Sequence, residues 1–289
     1  DFPHRSNGSG NRQVSDLEPE RATRRHGGSR TGVPRSRLAA RVERLLTAAL
    51  GGDPHVILNI KAPELLADAG SVAPAVSGVL ERAGPALALQ LRLSQTLRSA
   101  GLVEDLLNEL ANPDPLVRIA AARLCGALRM SDSLPWLADM MADSRPRVWE
   151  AAVRALGQLG GGRAVDALMS GVDRIPQHRL AIEVARAASD MDIEALMREP
   201  ASVQAAVVTV LACGLRHDTL RVGPLSGIAQ DRRWPSRVRV AACRSLGMIG
   251  DATTSVALAR LTNDPDAGVR GAAVDAQRRL TTTGKSRRP

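Results

Sequence analysis

The residues best suited to catalysis or metal binding are scattered along this sequence of 289 residues. No two of the five histidines are three or four residues apart, so no helix face offers two of them to a metal ion. The three cysteines, Cys125, Cys213 and Cys243, are far apart, and each lies in an apolar stretch, which favours buried, reduced thiols. We therefore expect no catalytic residue, no metal and no cofactor.

A glycine-rich corner at Gly157 and residues 160–162 has the composition of a phosphate-binding loop. It follows a predicted helix rather than a strand, and it lacks the Lys-Ser/Thr pair that such a loop needs. We interpret it as a turn between two structural units.

Arginines recur at one position of six apolar segments, where they suit an anionic partner. The segments begin at Val117, Val148, Leu180, Val203, Val238 and Val269. The residues six positions further on are Arg123, Arg154, Arg186, Thr209, Arg244 and Asp275. Four of them are arginine, whereas the basic content of 39 in 289 would place about one there. One interpretation is a row of guanidinium groups that binds carboxylates or phosphates. The other is a solvent-exposed face whose arginines pair with acids of adjacent units.

Two tryptophans lie close to these segments and are further candidates for partner binding. Trp149 stands beside Glu150 near the start of the second segment, and Trp234 lies in the turn before the fifth. The alternative for each ring is a cap packed over the preceding unit. With three Trp, one Phe and no Tyr in the chain, modules that read nucleotides or cations by aromatic stacking are excluded.

The net charge of +9 is concentrated at the two ends of the chain. Residues 1–40 contain eight arginines and four acids, and residues 281–289 contain three basic residues and no acid. The 240 residues between them carry only +2, so the body lacks a general electrostatic footprint for nucleic acid. No apolar run approaches the roughly 18 residues that span a bilayer, which predicts a cytoplasmic protein. Because the sequence begins at Asp1 rather than Met, membrane association through a preceding segment stays open.

The elements that must position these side chains are repeated helix pairs. The starts of the six segments are separated by 31, 32, 23, 35 and 31 residues, and within each segment apolar residues recur at helical spacing. A shorter apolar helix and a turn rich in Asn, Asp, Ser and Pro precede each segment. No stretch alternates with period two, so we expect no strands.

Four regions follow from this pattern. Residues 1–34, rich in Arg, Gly and Ser, are predicted to be a disordered tail because they hold too few apolar side chains to fold. Residues 35–100 are predicted to form irregular helices, broken at prolines such as Pro74, that cap the repeats. Residues 101–280 form six repeats, and residues 281–289 form a basic C-terminal tail.

The repeat strings resemble a known family. Three of them, beginning Asn112-Pro-Asp-Pro-Leu-Val-Arg, Asp231-Arg-Arg-Trp-Pro-Ser-Arg and Asn263-Asp-Pro-Asp-Ala-Gly-Val-Arg, resemble the HEAT-like repeats of bacterial proteins, the type first described in phycobilisome lyases. The resemblance covers residues 101–280 and implies an all-α, right-handed α-solenoid. The Arg-rich leader, the helix near Arg41–Leu50 and the irregular linker also resemble HEAT-repeat proteins found beside family 2 glycosyltransferases.

The resemblance implies a scaffold that recognises surfaces. We expect a non-catalytic protein whose concave side binds another protein with an acidic segment, including a membrane glycosyltransferase or similar enzyme. The expected contacts are Arg123, Arg154, Arg186, Arg244, Trp149 and Trp234. The alternatives are a nucleic-acid-binding HEAT protein, similar to the alkylpurine DNA glycosylases, and a lyase-type HEAT protein.

Overall fold

A computed structural model describes residues 36–53, 58–84 and 86–286 of the chain. Within these ranges the chain forms sixteen α-helices, three short 3-10 turns and no strand. The all-α prediction is confirmed. The predicted disordered tail, residues 1–34, lies outside the described residues.

The helices follow one another with short connections. They are α1 (Arg37–Leu50), α2 (Ala62–Ala67), α3 (Ala69–Ala83), α4 (Leu87–Ser99), α5 (Leu102–Leu110), α6 (Pro115–Ala127), α7 (Leu134–Met140), α8 (Pro146–Leu159), α9 (Gly162–Met169), α10 (Gln177–Ala187), α11 (Asp190–Arg198), α12 (Val203–Leu215), α13 (Val222–Gln230), α14 (Ser236–Ile249), α15 (Ser255–Leu261) and α16 (Ala267–Ser286).

The first four helices precede the regular pairs. Helix α1 begins after Ser36, whose hydroxyl accepts a hydrogen bond from the Ala39 amide at 2.9 Å, as a helix N-cap does. It packs on α3 and α4, and α3 packs on α6. Pro74 lies inside α3 and does not end the helix as predicted. Buried residues on both sides of the proline, Val72 and Val76, pack this helix against the core.

From α5 onwards the helices alternate in two layers. The first helices are α5, α7, α9, α11, α13 and α15, and each packs on the second helix that follows it: α6, α8, α10, α12, α14 or α16. Each second helix also packs on the next second helix. This continuous row is the arrangement of an α-solenoid. The last helix extends to Ser286, six residues past the predicted end of the repeats at 280.

The ends of the second helices define which residues are equivalent. Four of them are followed by a residue with left-handed backbone: Arg129, Gly160, His217 and Gly250, with φ of 51°, 70°, 51° and 76°. Counting back six residues from each gives Arg123, Arg154, Leu211 and Arg244. The predicted place of Thr209 in this row is therefore wrong by two residues. Its side chain is buried and donates to the Ala205 carbonyl at 2.9 Å.

A close contact between second helices corrects the third unit as well. Methyl groups added at Gly126 and Gly247 would lie 2.6 Å and 2.8 Å from the Cα atoms of Ala155 and Ala276 in the next second helix. At Gly157 the corresponding neighbour is Glu183, whose Cβ would be 2.8 Å away. The glutamate is thus equivalent to Ala155. Each residue of α10 therefore occupies the place that the sequence analysis assigned to the residue four positions later. Ile182, not Arg186, is the equivalent of Arg154.

A different set of arginines ties the second helices to the turns. Arg239 of α14 donates to the Ala229 carbonyl at 3.0 Å and forms an ion pair with Asp264 in the following turn. Both side chains are at most 5% exposed. Arg118 of α6 occupies the same position and pairs with Asp143 of the next turn at 2.7 Å, with 12% and 16% of the two side chains exposed. These arginines are structural and face away from solvent.

Candidate binding groove

The first cleft is lined by residues of α3, α4, α6, α8 and α10. It has a volume of about 700 Å³ and is called here the polar cleft. Its charged lining residues are Glu81, Arg129, Glu150, Arg154, Arg179, Glu183 and Arg186. Arginines and carboxylates thus alternate around one cavity built from several helices.

Glu183 forms the buried end of the polar cleft. The residue is 7% exposed, and it fits against α8 because Gly157 has no side chain there. Arg186 donates to its Oε2 at 2.6 Å. Burial raises the pKa of the Glu183 carboxyl above its ordinary value, and the charges of Arg186 and Arg154 act in the opposite direction. Arg186 therefore balances the charge of a carboxylate of the protein itself.

Arg154 is an exposed cation of the polar cleft that is placed to take an anionic partner. Arg179 lies 3.6 Å from Glu150, and Arg186 is paired with Glu183. Arg154 is exposed, and no acid of the described residues lies within ion-pair distance of it. A carboxylate or phosphate that entered the cleft would find this guanidinium available.

The polar cleft continues into an apolar groove along α10, α12, α14 and α16. The groove has a volume of about 280 Å³. Its apolar lining residues are Ala181, Ile182, Leu211, Leu215, Met248, Ala272 and Ala276. Ile182, which lines both cavities, is 40% exposed, and Leu215 is 41% exposed. Large aliphatic side chains thus face solvent between two polar regions.

Arg244 lies at the edge of the apolar groove. It also lines an adjoining cleft of about 530 Å³, together with Arg237 and Asp266. Like Arg154, it is exposed and has no acid within ion-pair distance among the residues that the structure describes. The order of equivalent residues along four second helices is therefore Arg154, Ile182, Leu211 and Arg244.

Of the remaining predicted contacts, two lie apart from these cavities and one lines the polar cleft. Arg123 is exposed on α6 but does not line the polar cleft, the apolar groove or the cleft at Arg237. Trp149 is half-buried and lines the polar cleft. Trp234 is half-buried against the core in the turn before α14, away from all three cavities. The structure thus brings Trp149, Arg154 and Arg186 together and separates them from Trp234.

A family model of HEAT repeats matches residues 103–189 and 193–278, more than half of the chain. The chain belongs to the HEAT-repeat family. The matched ranges contain five complete second helices, α6 to α14, and most of α16, so the groove is a surface of the HEAT repeats themselves. No match was found among curated proteins.

The solved structures that this chain resembles are distant in sequence. Human deoxyhypusine hydroxylase in complex with glycerol is 17% identical, with a TM-score of 0.34, and the alignment covers 84% of this chain and 98% of that one. Two engineered proteins are 20% and 18% identical, with TM-scores of 0.29 and 0.32; they cover 84% and 83% of this chain and 97% and 98% of their own. None of these likenesses bears on the chemistry of this HEAT-repeat protein.

Sequence reasoning missed Glu183, Ile182 and Leu215 as residues of the groove. The available signal was a glutamate between Ala181 and Val184, in a helix whose neighbouring positions are apolar. For the two aliphatic residues no local signal exists, because an exposed and a buried aliphatic side chain look alike in a sequence.

The thiols of this HEAT-repeat protein are buried, which disfavours their ionised form. All three cysteines are buried, and burial raises the pKa of Cys125 to about 12 and the pKa values of Cys213 and Cys243 to about 11. Across residues 36–53, 58–84 and 86–286, no group of three or more His, Cys, Asp or Glu side chains is placed to hold a metal ion. No helix within those ranges is long and apolar enough to cross a membrane.

Proposed function

We propose that this HEAT-repeat protein is a non-catalytic scaffold that binds an acidic segment of another protein along its second helices. The observation that carries the proposal is the state of Arg154 and Arg244. Both are exposed, both line cavities between second helices, and neither has an acid of the described residues within ion-pair distance.

Charge-assisted hydrogen bonds explain why such arginines favour a protein partner. A guanidinium presents a planar set of donors that matches a carboxylate, and such a contact contributes about 1.5–3 kcal/mol once a partner excludes water. The resemblance to HEAT-repeat proteins found beside family 2 glycosyltransferases makes a membrane enzyme one source of that segment.

Nucleic acid is the second candidate partner, favoured by Trp149 beside Glu150 and Arg154 in the polar cleft. An alkylpurine-glycosylase-like site would use tryptophans and a carboxylate together. Here Trp234 lies outside the cleft, and the buried carboxylate of Glu183 is paired with Arg186. We therefore favour the protein partner.

The test is a selection of random twelve-residue peptides on the full chain, followed by binding measurements on the enriched sequences. We expect enrichment in Asp and Glu. The double variant Arg154→Glu and Arg244→Glu should bind the selected peptides at least tenfold more weakly, with an unchanged helical circular dichroism spectrum, because both side chains point away from the core.

The matched control is Arg163→Glu and Arg260→Glu, which makes the same charge change on the exposed surface of the first helices α9 and α15. Equal weakening by the two double variants would mean diffuse attraction and would contradict a site. Absence of acidic enrichment would also contradict the proposal. Binding of duplex DNA with a steep dependence on salt, lost in the Arg154 and Arg244 variant, would favour nucleic acid instead.

A further inference from the structure

The row of equivalent positions on the second helices changes from charged to aliphatic residues in its middle. Arg154 on α8 is followed by Ile182 on α10 and Leu211 on α12, and Arg244 on α14 restores the positive charge. Leu215, one turn beyond Leu211, widens the apolar section. The row therefore consists of a cation, two aliphatic residues and a second cation, and the next equivalent residue, Asp275 on α16, also lines the apolar groove.

We propose that the segment bound by this groove carries one large aliphatic side chain between acidic residues, and that this side chain packs on Ile182, Leu211 and Leu215. The inference rests on the proposed function and adds the hydrophobic requirement to it. Ile182 is 40% exposed and Leu215 is 41% exposed within a single concave groove, whereas scattered aliphatic side chains on a surface have no such shared cavity. An aliphatic anchor that fills a pocket is a common centre of protein recognition.

The spacing of the helices sets the length of the segment. Packed helices lie about 8–10 Å apart, so the three steps from Arg154 to Arg244 span about 24–30 Å. An extended chain advances about 3.3–3.6 Å per residue, so about seven to nine residues cover that distance. The aliphatic residue then lies near the middle, with an acidic residue about three or four positions away on each side.

Charge and chemistry identify the occupant as a segment of another protein. The ends of this chain carry a net positive charge, +4 in residues 1–40 and +3 in residues 281–289, which favours a segment of another protein. Within them Asp16-Leu17-Glu18 places an aliphatic residue between acids, so tighter binding of the Leu peptide by a Leu17→Ser variant would assign the groove to that segment and overturn the inference. Nucleic acid would satisfy the two arginines, but it has no aliphatic side chain for the section between them. An acidic peptide with a Leu, Ile, Val or Met satisfies both.

The experiment uses two fluorescein-labelled ten-residue peptides of identical charge. Both have Glu or Asp near each end, and they differ in a central Leu or Ser. We expect the Leu peptide to bind the full chain at least tenfold more tightly than the Ser peptide. The double variant Ile182→Gln and Leu215→Gln should remove that difference while keeping the weaker binding of the Ser peptide.

The matched control is Met191→Gln and Val256→Gln, because these side chains are 81% and 61% exposed on the first helices α11 and α15. The control should keep the full preference for Leu. All four positions are exposed, and circular dichroism verifies that each variant is folded.

The outcomes separate this inference from the proposed function. If both peptides bind equally and Arg154→Glu with Arg244→Glu still weakens them, the hydrophobic requirement is wrong and the acidic partner stands. If neither peptide binds, both proposals are wrong. If the chain forms a dimer and the Ile182 and Leu215 variant is a monomer, the groove binds a second copy of the chain. If duplex DNA displaces the Leu peptide as effectively as excess Leu peptide does, the groove binds nucleic acid. Either result overturns the inference.

Discussion

The buried ion pair between Arg239 and Asp264 offers the sharpest test of how the groove is held in shape. We expect Asp264→Ala to destabilise the contact between α14 and α16 by about 3–5 kcal/mol, because it leaves a guanidinium buried without its counter-charge. Both side chains of the pair are at most 5% exposed, so the guanidinium is largely shielded from bulk water. Arg239 would keep its hydrogen bond to the Ala229 carbonyl and the weaker attraction of the Asp266 carboxylate.

The matched comparison is Asp143→Ala, at the equivalent pair with Arg118. There the side chains are 12% and 16% exposed, and Arg118 keeps bonds to two backbone carbonyls, at Asn112 and Pro113. We expect a loss of about 1–2 kcal/mol, between the values for an exposed pair and for a hydrogen bond to a buried charge. Each aspartate also accepts a hydrogen bond from a backbone amide two residues on, so that loss is common to both variants.

The assay is native-state hydrogen exchange of the amides in α14 and α16, since a repeat array does not unfold as a single two-state unit. The double variant Arg239→Met with Asp264→Leu should recover most of the protection, because an apolar pair avoids the desolvation of charge. Equal losses for Asp264→Ala and Asp143→Ala, or no recovery in the double variant, would refute the reasoning.

The same ion pair predicts how the stability of the fold changes with pH. The hydrogen bond from Arg239 is the largest cause that lowers the pKa of Asp264 below its ordinary value. A lowered pKa means that the ionised carboxylate stabilises the fold above the unfolded-state pKa of about 3.9, and that this stabilisation is lost as the pH falls through the folded-state value. The difference in protection between the natural chain and Asp264→Ala should therefore shrink below about pH 4.

Two further predictions concern the wall of the polar cleft. Gly157→Ala should lower the melting temperature, because its methyl group would lie 2.1 Å from Glu183 Oε2 and 2.8 Å from its Cβ. Gly227→Ala, in open space on α13, should instead raise the melting temperature slightly through better helix propensity. Glu183→Gln should raise the melting temperature at pH 7 and not at pH 3. Burial raises the pKa of Glu183, so its ionised form destabilises the fold at pH values above the ordinary pKa. An unchanged melting temperature at pH 7 would contradict this sign.

Much of the fold is predictable from local patterns. The period of the apolar residues identified the second helices, and the glycine-rich corner near Gly160 is a turn between α8 and α9, with left-handed backbone at Gly160 and Gly161. The cysteines lie in the core as their apolar neighbours indicated. These features depend on interactions within one helix or turn, which the nearby sequence contains.

The register between helices was less accessible to the sequence. Residues one turn apart share a helix face, so the apolar pattern of α10 fits equally well when Leu180 is placed four residues earlier or later. The contact between Gly157 and Glu183 distinguishes these alternatives, and it joins two helices that are separate in sequence. For this reason Ile182 and Leu211 take the places that the sequence analysis assigned to Arg186 and Thr209.

The sequence by itself determined that the chain is a helical repeat protein, because helical periodicity and turn residues are encoded locally and recur along the chain. Only the tertiary structure decided which arginines are structural and which are available to a partner. Arg239 and Arg244 both lie on α14, yet one is buried against Asp264 and the other faces the groove. Their environments depend on neighbouring helices, and the packing of those helices sets the burial, the ion pairing and the exposed aliphatic surface of the groove.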